Sequence, residues 1–333
     1  KNFKKFEPEP VFNKDNIIFF DNKGTIFSVN KKTSISWEKN IYSKNEKKKN
    51  PILFFQINNN QLIVTDNLGK YYSLEINSGN LLWSKNNSAP FNSEIKIENN
   101  RIYVTDIENI LRCYSLKDGK ELWFQKTEKI FLKSQKKTSI IIKKDAVIFN
   151  NTSGDITAVN KDNGELLWQI STNTKNSTQN LSLLKTSELT SYQDFIFFSN
   201  NFNDAYLIDS ITGTIIWKQS INSTIKSTIV NNLIFTVTTN GFLVVTDLTN
   251  GNIVRITNIL SKIKKREMLI PVGFVLGINR IYLSTSKGHL MIINIKNGKS
   301  TQIIRLDKNI ISKPYIFNKN LLLIKDNSLL TIN

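Results

Sequence analysis

One phrase recurs along this chain and limits what it can fold into. SGNLLWSK (78–85), DGKELWFQ (118–125), NGELLWQI (163–170) and TGTIIWKQ (212–219) each place a glycine four residues before a tryptophan. All the tryptophans of the chain, Trp37, Trp83, Trp123, Trp168 and Trp217, occupy this slot, and successive slots lie 40 to 49 residues apart. The phrase continues without tryptophan at NGNIVR, where Arg255 takes the slot, and at NGKSTQ, where Gln302 does. In the first repeat Thr33 stands in the glycine position. Self-similarity at this period marks a repeat architecture, in which each unit buries its apolar face against its neighbours.

Each repeat has the same internal order. An alternating apolar–polar run such as NNLIFTVTT (231–239) comes first. A turn residue follows, 13 or 14 positions before the slot: Gly24, Gly69, Asn109, Gly154, Asp204, Gly241 and Gly288. Glycine, asparagine and aspartate are the residues that tolerate the positive φ of a tight hairpin. A second alternating run such as FLVVTDL (242–248) leads into the glycine phrase, and a short strand carries the tryptophan. Period-two alternation broken by frequent turn signals predicts antiparallel β-structure. Helical periodicity is missing, and 259–271 reads as a loop. Four strands in 40–50 residues make a propeller blade. Turn signals number eight, the last at Asn327. The expectation is an all-β, eight-bladed propeller of four antiparallel strands per blade, one domain over 1–333. Residues 1–7 are expected to complete the last blade, so that no sheet edge is left open.

The tryptophans are expected to pack between blades. A ligand site breaks symmetry, whereas this residue maintains it, and each indole can bury on the order of 150–250 Å². Little else suggests chemistry. The one histidine, His289, follows a turn glycine and is expected at the surface, outside any triad or metal cluster. No P-loop, GxGxxG or HExxH pattern occurs. The one cysteine, Cys113, alternates in ILRCYSL as a small core residue does. No catalytic, cofactor-binding or metal-binding residue is assigned. The net charge of +18 raises the question of nucleic acid, but only six of the 45 basic residues are arginine, the side chain suited to phosphate forks and base edges. The runs EKKK (46–49), KSQKK (133–137) and KIKKRE (262–267) read as solvated turns, and no nucleic-acid partner is expected.

The hairpin followed by a glycine–tryptophan phrase resembles the tryptophan-docking repeat of quinoprotein-like eight-bladed propellers, over nearly the whole chain. The residues after each tryptophan, Glu38, Ser84, Phe124, Gln169 and Lys218, depart from the Trp-Asp type of propeller. Within that superfamily, one branch is the quinoprotein dehydrogenases, which bind pyrroloquinoline quinone and calcium. They are usually longer, and many carry adjacent cysteines over the cofactor. The other branch is the BamB family, lipoproteins of the outer-membrane β-barrel assembly machinery. The segment STIKSTIVNNLIFTVTTNGFLVVTDLTNGNIVRI, its lysine-rich loop and GINRIYLSTSKGHLMIINIKNGK resemble the alphaproteobacterial form of that family.

The resemblance implies a scaffold that needs no cofactor and binds the periplasmic domains of the barrel subunit through a loop between two middle blades. LSLLKTS (181–187) stands at the matching place. Leu181 and Leu183 would be apolar contacts, Leu184 takes the family's arginine position, and Lys185 follows it. Asn222 and Thr224 stand where the family has acidic residues. Read from residues alone, three leucines emerging from the polar stretch STNTKNSTQN (171–180) mark either a partner surface or the first strand of the fifth blade. The implied location is the periplasmic side of the outer membrane. Membrane contact would be through a lipid anchor outside the given sequence, because Cys113 lies mid-chain. Two alternatives stand beside this reading: a quinone- or sugar-binding propeller enzyme, and a propeller that meets anionic lipid through its lysine loops.

Overall fold

The computed structural model of the chain describes residues 9–14, 16–31, 34–127, 136–172, 184–261, 263, 269–325 and 328–332. Among them lie eight consecutive antiparallel sheets, in each of which the strands pair in chain order. Seven sheets have four strands and the last, Tyr315–Phe317, Asn320–Lys325 and Ser328–Ile332, has three. The fold is all-β, an eight-bladed propeller. Residues 1–7, expected to complete the last blade, lie outside the described residues. The chain parts into two compact units, blades 1–4 within Pro8–Leu183 and blades 5–8 within Leu184–Asn333.

Blade 2 shows how the residues produce the pattern. Leu53–Asn58 and Gln61–Asp66 join through Asn59 at φ 50°, a left-handed value that asparagine tolerates. Gly69, at φ 90°, turns the chain into Lys70–Glu75. The Asp66 carboxylate holds this turn by accepting from the backbone N–H groups of Leu68 and Lys70 at 2.8 and 2.7 Å. The second and third strands are buried almost throughout, whereas the fourth, Leu81–Asn86, alternates between exposed and half-buried. The same Asx-type turn recurs at Asp21, Asp106, Asn151 and Asn200. In blade 5 the left-handed residue is Asn203 at φ 66°, not the expected Asp204. The Asn200 side chain accepts from the backbone N–H groups of Phe202 and Asp204, as Asp66 does from Leu68 and Lys70, and the left-handed residue lies three after the capping residue in both turns.

Every tryptophan lies on the fourth strand of its blade, at a register shift. In each of the seven four-stranded blades, the pairing of third and fourth strands slips at the residue just before the slot. The bulge leaves that residue outside the ladder and re-aims the next one. Opposite the slot, blades 1–4 place small and fully buried side chains: Ser28, Ser73, Cys113 and Ala158. The indole then leans on the following blade. Trp37 donates its Nε1–H to Ile76 O at 2.9 Å, and Trp83 donates to Leu116 O at 3.2 Å. A Cβ on Gly79 or Gly119 would sit 2.7 Å from the facing ring, and one on Gly164 2.5 Å from Trp123. In the other unit Trp217 repeats the contact on Gly251, with its Nε1–H on Leu248 O at 2.8 Å. Arg255 does the work of an indole in blade 6. Its guanidinium donates to Ile295 O at 2.8 Å and to Lys296 O, while Thr257 lies beneath Gly298.

One short helix was not foreshadowed by periodicity. Lys44–Lys47 forms a single turn closed by a capping box between Ser43 and Glu46. Part of the EKKK run therefore lies in a capped turn, where Glu46 bonds Lys70 at 2.8 Å.

Trp83→Ala is expected to lower unfolding stability by about 3–5 kcal/mol, and Gly119→Ala by about 1–3 kcal/mol from its left-handed backbone alone. In a urea-unfolding double-mutant cycle, Gly119→Ala should cost less in the Trp83→Ala background, where its Cβ meets no ring. Strict additivity of the two changes would show that the ring and the glycine do not act on each other.

Candidate partner-binding surface

Of the four residues assigned to partner contact, Leu181 and Leu183 lie outside the described residues. Leu184 is half-buried and Lys185 exposed. From there the chain is pinned to the turn between the second and third strands of blade 5. The backbone N–H of Lys185 donates to Asn201 Oδ1 at 2.7 Å, and Asn201 N–H returns to Lys185 O at 3.0 Å. Thr186 bridges Asn200, and Ser187 N–H donates to Ser199 O at 2.7 Å. Ser187 Oγ in turn accepts from Ser199 N–H at 3.0 Å. The segment that follows the leucine pair thus leaves Lys185 on a fixed backbone.

Blade 6 extends the same edge. Asn200 forms a parallel bridge to Asn222, and Ser223 N–H donates to Asn200 O at 3.1 Å. Asn222 accepts from Thr239 twice, from its hydroxyl at 2.8 Å and from its backbone N–H at 3.0 Å. The structure therefore brings Leu184 and Lys185 together with Asn201, Asn222 and Thr239. Nearby, Lys218 pairs with Asp204 at 2.8 Å, which holds its ammonium above the usual lysine range. Asn201 and Thr239 were not singled out from the sequence. Each directly follows the residue that caps its blade's turn, Asn200 or Thr238, and is half-buried.

Elsewhere, several charged groups occur in pairs. Glu94 meets Lys96 at 3.0 Å and Lys137 at 4.0 Å, and Lys137 also meets Glu9. Lys137, expected on a solvated turn, is instead drawn against two carboxylates, with its side chain 12% exposed. Glu188 lies between Lys226 at 3.4 Å and Lys313 at 3.7 Å. No group of three or more His, Cys, Asp or Glu side chains among the described residues could hold a metal ion.

His289, expected at the surface, is buried at 8% exposure. It opens the third strand of blade 7, whose first five residues, His289–Ile293, are all buried, so Gly288 turns it inward and not outward. Cys113 is fully buried opposite Trp123, and desolvation pushes its thiol up to about 12.

Comparison with known proteins supplies the family. A family model described as outer membrane protein assembly factor BamB matches residues 22–257. The chain belongs to the BamB family. No curated protein sequence matches it. Among solved structures, BamB from Moraxella catarrhalis is similar at a TM-score of 0.82 and 14% identity, covering 97% of this chain and 95% of that one. The computationally designed protein Ika8 is similar at a TM-score of 0.73 and 11% identity, covering 97% and 94%. A europium-containing methanol dehydrogenase is similar at 0.76 and 12%, covering 95% and 81%. At these identities the structural likenesses speak for the eight-bladed fold. The BamB assignment rests on the family model.

The thiolate is the reactive form of cysteine, so Cys113 is expected to resist a thiol reagent at pH 8 in the native protein and to react on unfolding in urea. Rapid native labelling would show that the core of blade 3 opens.

Proposed function

We propose that this BamB-family chain is a non-catalytic scaffold of the outer-membrane β-barrel assembly machinery. It would work on the periplasmic side of the membrane, with any lipid anchor outside the given sequence. Its partner is the barrel subunit, whose periplasmic domains it meets through the segment 181–187. The observation that carries this reading is the family match over residues 22–257.

The local geometry supports the segment as a contact. Lys185 is presented on backbone tied to Asn201, and Asn222 and Thr239 flank it as neutral polar groups. A few apolar anchors rimmed by polar side chains form an interface of modest strength. In this chain Leu184 stands at the family's arginine position with Lys185 beside it, and Asn222 and Thr224 stand where the family has acidic residues. The contact is therefore less dependent on charge.

The quinone-enzyme reading draws on the likeness to methanol dehydrogenase, which at 12% identity is one of fold. It needs convergent, unpaired polar groups. The carboxylates Glu94 and Glu188 are each committed to two lysines.

Replacing Leu181 and Leu183 together with Asp should leave the thermal midpoint unchanged and remove capture of the barrel subunit's purified periplasmic domains. Undiminished capture would take the segment out of the interface. Calorimetric titration with pyrroloquinoline quinone and calcium should show no heat of binding, and tight binding would reverse the assignment to a scaffold.

A further inference from the structure

Asparagine is a chemically labile residue, and most so directly before glycine, where no Cβ hinders the backbone nitrogen that can attack its side chain. The chain has four such pairs: Asn163-Gly164, Asn240-Gly241, Asn250-Gly251 and Asn297-Gly298. All four asparagines are exposed, and all four glycines are buried at positive φ. Neither sequence nor exposure separates them.

Hydrogen bonding does. Three of the pairs lie in the turn between the third and fourth strands of a blade, with Trp123, Trp217 or Thr257 of the preceding blade pressed on the glycine. There each asparagine turns its Oδ1 onto the backbone N–H two residues on. Asn163 accepts from Glu165 at 3.1 Å, Asn250 from Asn252 at 2.8 Å and Asn297 from Lys299 at 2.9 Å. The three glycine N–H groups donate to Asn160 O, Asp247 O and Asn294 O at 2.9, 3.0 and 2.8 Å. Asn240 lies instead in the turn between the second and third strands of blade 6. Its glycine is bonded in the same manner, Gly241 N–H to Thr238 O at 3.0 Å. The N–H two residues on is already taken, because Phe242 N–H donates to Thr238 Oγ1 at 2.9 Å. The Asn240 carboxamide therefore makes no hydrogen bond among the described residues.

We propose that Asn240 is a self-modification site, the position at which the folded chain loses a side-chain amide. Gly241 N gives its proton to hydroxide and forms a bond to Asn240 Cγ. The Cγ–Nδ2 bond breaks, and the nitrogen leaves as ammonia with a proton from water, which restores the hydroxide. The cyclic imide then takes up one water at either carbonyl and opens to aspartate or to isoaspartate. At Asn240 the attack breaks one hydrogen bond, that of the glycine. At each of the other three it breaks the Oδ1 bond as well and has to shift a glycine held beneath a side chain. One further hydrogen bond is worth up to about tenfold in rate. The product sets a carboxylate beside Thr239, whose hydroxyl bonds Asn222, so the neutral edge of blade 6 gains a negative charge. The chemistry belongs to the turn and holds whatever this surface binds, independently of the scaffold reading.

The test is to hold the full chain at mildly alkaline pH, with a parallel sample in urea, and to map isoaspartate by mass spectrometry after digestion. In the native chain Asn240 should convert about tenfold faster than Asn163, Asn250 or Asn297. In urea the four rates should converge, because the turns that separate them are gone. Ion exchange of the native sample should show an acidic species whose formation slows about tenfold in Asn240→Gln, an exposed position, with the thermal midpoint unchanged. The proposal is overturned if any of the other three converts as fast as Asn240 in the native chain, or if native Asn240 does not convert. It is equally overturned if Asn240 keeps the same lead in urea, which would place the contrast in local sequence, or if Asn240→Gln forms the acidic species as fast as the natural sequence.

Discussion

The structure depends on an indole lying on a stretch of backbone that carries no side chain. Gly79, Gly119, Gly164 and Gly251 answer two demands at once. Their φ values, between 68° and 79°, are strained for any residue with a Cβ, and the ring of the preceding blade occupies the space a Cβ would need. Either demand alone could be met by a compromise such as asparagine. Together they leave glycine. The tryptophan is constrained as tightly, since it must reach the next blade from an edge strand, and the bulge before the slot turns it that way. The small residue opposite, whether Ser28, Ser73, Cys113 or Ala158, gives the ring room. Three positions scattered over 46 to 51 residues thus belong to one contact, and for that reason the pattern repeats so visibly. The chain's one cysteine is explained by this contact and has no need of redox chemistry.

Arg255 shows which part of the contact is general. It shares no ring with tryptophan, yet it reaches the same two features of the next blade, the carbonyl that ends the third strand and the turn that follows. The common requirement is a long side chain with a donor at its far end and a flat surface to lay on backbone. Trp123 meets it only in part: the ring abuts Gly164, while Nε1 is buried without a hydrogen bond among the described residues. The contact is therefore first a matter of packing and second of hydrogen bonding, consistent with the modest net value of one hydrogen bond against the burial of a large ring.

Blade number, strand order and the docking slot were legible in the sequence because each rests on a repeated demand, and repetition averages out local accident. What was illegible is what happens once. His289 follows a turn glycine, and its type favours the surface, but the third strand of blade 7 is buried from its first residue. The turn glycine said nothing about which side of the sheet comes next. The helix Lys44–Lys47 is too short for periodicity, though Ser43 and Glu46 carry the spacing of a capping box. Lys137 sits in a run of lysines, and only the fold brings Glu9 and Glu94 to it. The candidate surface lies between these cases. Leucines in a polar loop are visible in the sequence, whereas Asn201 meets Lys185, and Thr239 meets Asn222, only through the turns of two different blades.

The fourth strands expose a conflict between packing and solubility. To set the slot residue, six of the seven four-stranded blades present the two residues before it to solvent, and in four of them both are apolar: Leu81 and Leu82, Leu166 and Leu167, Ile215 and Ile216, Ile253 and Val254, all 40–60% exposed. An apolar strand at a sheet edge is a template for pairing with another chain. Most of these strands carry a charge within or beside the pair, such as Lys85, Lys126, Lys218 or Arg255, which penalises a second strand laid alongside. In blade 4 the fourth strand, Leu166–Ser171, has none. Its sequence LLWQIS is the apolar edge least protected by its own side chains, and the charge nearest to it in sequence is Glu165. Edge protection here is thus assigned blade by blade, by whichever residue the slot does not need, and it is weakest where no position was left for a lysine.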